Sequence, residues 1–330
     1  MNKLKVGFVS FAHMHAASYL QAMLNRGDVE VAGIADEDEA RVKPFTEPHG
    51  VPYYSDYTQM LQEPLDAVVI CSENVRHAEM VCAAAAAGKH VLCEKPLGVS
   101  EEEMLRMIET CKQHGVQLMT AFPCRFLTSV KQAKQAVEQG KIGDIIAIKG
   151  TNRGTMPSGW FQDRSLSGGG AVLDHTVHVM DLMHWFTGSK VRSVFAHAKM
   201  LFHDTDIDDA GMVHVRFDNG VFAVLDPSWS RSRSFPTWGD VTMEIIGTKG
   251  VLSIDAFAQK NDVYSDVESK SLWSYWGDNM DEALIDSFVA SIRDGKPVAV
   301  SGEDGLYSAR VALAAYESAR IGRSVTLSKI

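Results

Sequence analysis

Short apolar runs alternate with amphipathic stretches along the first third of the chain. Lys5–Ser10, Val29–Ala35, Ala67–Cys71, His90–Cys93 and Gln117–Ala121 read as strands. Between them, helices are predicted over His15–Asn25, Glu37–His49, Arg76–Ala87 and Glu101–His114, the last two running up to Gly88 and Gly115. Alternation of this kind predicts parallel pairing, because two parallel strands need a long crossover between them. Val68-Val69-Ile70 is apolar without a break, as expected of a strand covered on both faces. After about Phe122 the pattern changes. A helix over Ser129–Glu138 leads into a strand at Ile145–Gly150, and a central helix follows Gly168. Strand-like runs then succeed one another at Val191–Phe202, Met212–Phe217, Val221–Trp229, Val241–Ile246 and Val251–Ala256. Asp218-Asn219-Gly220 and Gly247-Thr248-Lys249-Gly250 separate pairs of these runs, where hairpin turns need residues that tolerate positive φ. Two helices, Asp281–Asp294 and Gly305–Arg320, close the chain. The expected fold class is α/β, with a parallel-sheet domain over residues 1–122 and an α+β domain over 123–330 whose large open sheet is mostly antiparallel.

Composition narrows the functional classes. A chain of 330 residues with 45% hydrophobic and 22% charged residues is globular and long enough for two cores. The net charge of -10, with no segment dense in Lys or Arg, argues against nucleic acid as a partner. Val81 to Gly88 is the longest apolar-looking run; it is mostly alanine and too short for a bilayer. Lys3-Leu4-Lys5-Val6 runs straight into a strand pattern with no apolar leader core. Five cysteines without CxxC spacing read as buried thiols of a reducing compartment rather than disulfides or metal ligands. A cytoplasmic protein with no membrane, nucleic-acid or metal partner is expected.

A strand ending at Ser10, then a loop, then a helix is where a Rossmann domain grips pyrophosphate. The three glycine places of that fingerprint fall here on Ser10, Ala12 and His15. Small residues at the first two still permit close backbone approach, and the helix N-terminus still offers its N–H groups to an anion. His13 and His15 either add donors to phosphate oxygens or merely decorate the loop. The second strand ends at Ala35-Asp36, where an acidic side chain receives the adenosine ribose hydroxyls and repels a 2′-phosphate. Asp36 thus favours NAD over NADP, although Asp36-Glu37-Asp38 also suits the start of a helix.

Three further segments carry a resemblance. They are Gly88-Lys89-His90-Val91-Leu92-Cys93-Glu94-Lys95-Pro96-Leu97, the stretch Gly168-Gly169-Gly170 through Asp174 and His178 to Asp181, and Ser301-Gly302-Glu303-Asp304-Gly305-Leu306. In order and together they resemble the glucose–fructose oxidoreductase/inositol dehydrogenase family, Gfo/Idh/MocA, over essentially the whole chain. The resemblance implies an NAD(P)-dependent oxidoreductase of sugars, inositols or related polyols. It also implies self-association into a homodimer or homotetramer through the C-terminal sheet. It assigns Lys95, Asp174 and His178 to catalysis, and these with Trp160 to the substrate. For the cofactor it marks Ser72, Asn74, His77, Glu94, Lys95 and Arg125, beside Asp36 and the loop residues Ser10, Phe11, Ala12, His13, Met14 and His15.

These residue types suit the chemistry. Oxidising a secondary alcohol requires a group that takes the hydroxyl proton and a cation that steadies the developing alkoxide. On a helix Asp174, His178 and Asp181 stand at i, i+4 and i+7 and share a face, with an imidazole that titrates near neutrality. Lys95 supplies positive charge at the edge of the parallel sheet where such folds bind ligands. His175 and His184 point elsewhere and read as structural, and Met180-Asp181-Leu182-Met183 reads as core. Arg231, Arg233 and Trp238 suit either a substrate loop or an interface rim. A different class remains open, a non-catalytic cofactor-binding sugar sensor on the same scaffold.

Overall fold

The computed structural model describes residues 3–328. In chain order, the first strands and helices are β1 (Leu4–Val9), α1 (His15–Leu24), β2 (Val29–Ala35), α2 (Glu39–Thr46), β3 (Tyr53–Tyr54), α3 (Tyr57–Met60), β4 (Ala67–Ile70), α4 (His77–Ala86), β5 (His90–Cys93), α5 (Glu101–Gln113) and β6 (Leu118–Thr120). Then come α6 (Thr128–Glu138), β7 (Ile145–Gly154), α7 (Arg164–Ser167), α8 (Ala171–Thr187), β8 (Val191–Lys199), β9 (Ala210–Phe217), β10 (Phe222–Asp226), β11 (Gly239–Gly247) and β12 (Gly250–Asp255). The chain closes with β13 (Lys260–Ser265), β14 (Lys270–Tyr275), α9 (Met280–Asp294), α10 (Gly302–Ile321) and β15 (Val325–Thr326).

Two compact units result. One comprises the chain through Pro123 together with Met280–Leu306; the other comprises Cys124–Asn279 and the chain from Tyr307 onward. The sequence pattern offers one continuous second domain from residue 123, whereas segment 280–306 packs with the N-terminal sheet. The reason is local. α9 lies against α1, the Thr120 N–H donates to the Val300 carbonyl at 3.1 Å, and Met119 bridges Ser301.

The first unit holds a six-stranded sheet in the order β3-β2-β1-β4-β5-β6, and every neighbouring pair is parallel. β4 shows why its sequence reads as it does. Val68, Val69 and Ile70 have no exposed surface, so helices cover both faces, and each burial contributes about 1.5–3 kcal/mol. The order reverses direction between β1 and β4, which puts the crevice for a ligand outside their carboxyl ends.

The second unit holds a seven-stranded sheet, β12-β11-β7-β10-β9-β8-β15, antiparallel except where β10 runs parallel to β7. Both glycine-bearing turns join antiparallel neighbours, as their sequences predict. β13 and β14 form a separate hairpin, for which the sequence pattern gives no forecast. α8 crosses the big sheet. Glycine is required at Gly150 of β7 because a side chain there would strike Val179 and Met183 of the helix. Met180 and Met183 are wholly buried, in keeping with the core reading. All five cysteines are free, four of them buried and Cys82 partly so. Among the described residues, no helix is long and apolar enough to cross a membrane.

Candidate functional site

The β1–α1 loop holds its shape without the usual glycines. Ser10 sits at φ 65°, the left-handed conformation that the first glycine of the fingerprint supplies elsewhere. Its neighbour Phe11 turns its ring inward, 5.8 Å from Phe8 and 4.9 Å from Phe45, so only its backbone faces the crevice side. The Phe11 N–H donates to Asp36 Oδ2 at 2.7 Å, and Asp38 N–H donates to the other oxygen at 2.9 Å. Arg41 stands 3.2 Å from the same carboxylate. Asp38, not Asp36, caps α2, its side chain accepting from the Ala40 and Arg41 N–H groups. Asp36 is therefore a loop-binding carboxylate at the strand end, distinct from the helix start.

Around it lies a cavity of about 440 Å³ at the carboxyl ends of β1, β2 and β4. Ser10, Asp36, Glu37, Asp38, Arg41, Asp56, Tyr57, Glu73 and Arg76 are among its lining residues. Acidic groups outnumber the two arginines. Each guanidinium already faces a carboxylate, Arg41 that of Asp36 and Arg76 that of Glu37 at 2.5 Å. Sequence reasoning missed Arg41, Tyr57 and Arg76, which come from three different crossovers. Arg41 alone carries a signal, standing five residues beyond Asp36 on the helix that must follow it.

At the end of β5, Glu94 is fully buried and gathers the neighbouring groups. His15 Nδ1 lies 2.9 Å from Glu94 Oε1, and the Lys95 N–H donates to Oε2 at 2.9 Å. His13 Nε2 stands 3.8 Å from Oε2, and the two imidazole rings are 4.3 Å apart. Burial alone would raise the Glu94 pKa, yet the charges of His13 and then His15 hold it well below the usual carboxylate range. Burial alone would lower His15, but the charge and hydrogen bond of Glu94 raise it. Ligand atoms of His13, His15 and Glu94 lie within 4.8 Å of one another, a spacing that a cation would also accept. The hydrogen bonds speak for protons instead: His15 Nδ1 meets Glu94 at 2.9 Å, and the His15 N–H points to His13 Nδ1 at 3.2 Å.

Lys95 is itself buried, 4% exposed. His77 braces its loop, with Nδ1 3.0 Å from the Pro96 carbonyl and Nε2 3.3 Å from the Ser72 carbonyl; burial lowers its pKa. Ser72 directs its hydroxyl to the Glu73 carbonyl at 3.1 Å, and Asn74 is buried beside it. Of the predicted cofactor residues, the first unit thus gathers Ser10 to His15, Asp36, Ser72, Asn74, His77, Glu94 and Lys95 along the carboxyl ends of its strands. Met14 is the outermost of them, 64% exposed at the loop tip.

Arg125 belongs to the second unit. It grips Asp181 of α8 through two hydrogen bonds of 2.6 and 2.5 Å in a buried, forked pair, with Trp185 5.5 Å from the guanidinium. The sequence expectation places Arg125 on the cofactor, and its fork also fastens α8. On the same helix Asp174 is buried and His178 half-buried, one turn apart. Asp174 Oδ2 is 3.4 Å from His175 Nε2, and His175 packs edge-on to Trp229 and Trp238. Trp160 stacks on Phe161 with ring centroids 4.0 Å apart, in the turn before α7.

The glycine triplet before α8 serves packing within this unit. Gly168 takes φ 77° to end α7. A side chain at Gly169 would meet the Tyr316 hydroxyl, and one at Gly170 would meet the Asp208 backbone. Asp208 accepts from the Gly170 and Val172 N–H groups at 3.1 and 2.7 Å, and the Tyr316 oxygen accepts from Gly170 and Leu173 at 3.0 and 3.1 Å. No spacing rule connects either residue to the helix that it caps.

Comparison with known proteins shows the family. Residues 4–122 match the family model described as an oxidoreductase family with an NAD-binding Rossmann fold, and residues 130–253 match the GFO/IDH/MocA C-terminal domain. The chain is 34% identical to a myo-inositol 2-dehydrogenase of Thermotoga maritima over 316 residues, 92% of each chain. It is 27% identical to a scyllo-inositol 2-dehydrogenase (NAD(+)) of Bacillus subtilis, covering 89% of this chain and 87% of that one. A crystal structure of myo-inositol 2-dehydrogenase from Lactobacillus plantarum superposes with a TM-score of 0.87 at 25% identity, covering 99% of this chain and 100% of the other.

Proposed function

The chain belongs to the GFO/IDH/MocA oxidoreductase family, and from that premise we propose that it is an inositol or sugar-polyol dehydrogenase using NAD. Lys95, His178 and Asp174 are its catalytic residues. The observation that carries this reading is Lys95 itself, a lysine 4% exposed at the carboxyl edge of a parallel sheet. That edge is where open α/β sheets take their ligands. Whole-length likeness to inositol dehydrogenases supports the substrate class.

The residues present fit the dinucleotide. A cavity at the strand reversal, a glycine-like backbone at Ser10 and a carboxylate at Asp36 are the features that a Rossmann cleft uses. Asp36, Glu37, Asp38, Asp56 and Glu73 around the cavity disfavour an additional 2′-phosphate, which supports NAD over NADP. When bound, NAD accepts the hydride from the carbinol carbon and returns it in the reverse direction. The protein handles the proton. His178 takes the hydroxyl hydrogen through an imidazole nitrogen, Asp174 one turn away orients the substrate hydroxyls, and the Lys95 ammonium steadies the oxygen as charge develops. Trp160 contributes an apolar wall for the sugar ring. On its solvent side the second sheet exposes Met212, Phe222 and Val251, and this face is the one assigned to self-association, testable by analytical ultracentrifugation of a Phe222→Asp variant.

Reduction of NAD across a panel of inositols and sugars tests the reading. Lys95→Ala and His178→Ala should each lower kcat by roughly 10²–10⁴-fold while NAD binding persists. Cofactor binding without turnover of any panel member would favour the sensor instead.

A further inference from the structure

We propose that His15 is a positioning residue, a clasp on Glu94 that gives the cofactor loop the shape glycines supply elsewhere and ties that loop to the peptide of Lys95. The inference rests on the reading that this loop carries the dinucleotide. His15 occupies the third glycine place of the fingerprint and is the first residue of α1. A glycine there would permit close packing and contribute no side chain. Histidine instead reaches across to β5, where its Nδ1 meets Glu94 at 2.9 Å, while the other Glu94 oxygen holds the Lys95 N–H at 2.9 Å. One buried carboxylate thereby joins the loop that should bind pyrophosphate to the backbone of the residue assigned to the alkoxide.

His13 completes the clasp from within the loop, accepting the His15 N–H, and is 2% exposed. The His15 side chain is 26% exposed, so its far edge reaches the surface at the start of α1. A protonated imidazole there adds to the partial positive charge of the helix N-terminus, and both favour an anionic ligand. Every element packed around it takes part. Glu94 from the end of β5 and Asp281 from α9 favour the protonated ring, and Lys95 opposes it. Tyr19 of α1, whose hydroxyl is 3.4 Å from His15 Nδ1, and Cys71 after β4 are both pushed up by burial and remain neutral. Net attraction keeps the ring charged past the point where a free imidazole loses its proton.

NAD affinity should consequently fall as pH rises through the His15 titration. Isothermal titration of the full-length chain with NAD between about pH 6 and 9 should show a Kd that rises roughly fivefold or more. His15→Ala should bind as weakly at pH 6 as the wild type does at pH 9, with no pH dependence. His15→Asn, which keeps a donor toward Glu94 but cannot titrate, should recover part of the affinity and stay flat with pH; it also serves should the alanine variant fail to fold. Imidazole NMR of the cofactor-free chain gives an independent readout. His15 should titrate above 6.5 in the wild type and return toward it in Glu94→Gln. A His15→Ala variant with wild-type affinity and slope, or a His15 that titrates at or below 6.5, would overturn the clasp. A wild-type chain that binds NAD at no pH would overturn the cofactor reading beneath it, and the NMR titration would then report on the clasp alone.

Discussion

Two helices in this protein start at loops that carry candidate site residues, and they are held by opposite means. α1 follows a loop with none of the three expected glycines, and its first residue is fastened by an imidazole–carboxylate pair. α8 follows three consecutive glycines, and its first N–H groups are taken by the Asp208 carboxylate and the Tyr316 hydroxyl. The N-terminus of α8 is thus closed by the protein's own acceptors, while α1 begins with an imidazole whose pKa the neighbouring Glu94 raises. Gly169 and Gly170 mark tight internal packing. The β1–α1 loop is held by side chains instead, His15 on Glu94 and the Phe11 N–H on Asp36.

The comparison can be broken at α8 first. Arg125→Ala should remove the forked partner of the buried Asp181 and destabilise the protein by about 3–5 kcal/mol, measured by urea unfolding. A loss under 1 kcal/mol would mean that the forked pair does not fasten the helix. Gly170→Ala should cost about 1–3 kcal/mol, since a methyl group there meets the Asp208 backbone and has to displace it. Its thermal midpoint should fall with little change in pH dependence, as the contact is steric.

The smallest effect, and the one that sharpens the contrast, is the pH dependence of the α1 clasp. His15 is raised in the folded protein, so its contribution is complete below its ordinary 6.5 and fades as pH rises through the folded value. Glu94 is lowered, so its contribution is complete above its ordinary 4.5 and fades as pH falls through the folded value. The stability difference between wild type and Glu94→Gln should therefore be largest between pH 4.5 and 6.5 and shrink on either side. Thermal melts across that range check it, and a pH-independent difference would show that the pair contributes through packing alone.

Much of this was legible along the chain. The unbroken apolar run of β4, the Asn-Gly and Gly-flanked hairpins and the amphipathic helices each obey a local rule, and the two sheets follow from them. Asp36 was legible because a strand end fixes where its side chain must stand. The β13–β14 hairpin was not, since its outward residues include Tyr264 at 84% exposure and Val267 at 94%, and no buried face writes an alternation into its sequence. The pairing of Arg125 was not legible for a related reason, since its partner Asp181 lies 56 residues on, beyond any local pattern.

By itself, then, the sequence determined the order of strands and helices, the parallel character of the first sheet, and the residue types available for proton transfer, because period and turn chemistry act over a few residues at a time. Tertiary structure alone decided which of those side chains meet. Glu94 became a hub for His13, His15 and the Lys95 peptide, and Asp208 and Tyr316 became the cap of α8. Such partners lie tens to hundreds of residues apart, and only the packed core, which excludes water and drives most buried polar groups to find a partner, brings them within hydrogen-bond reach.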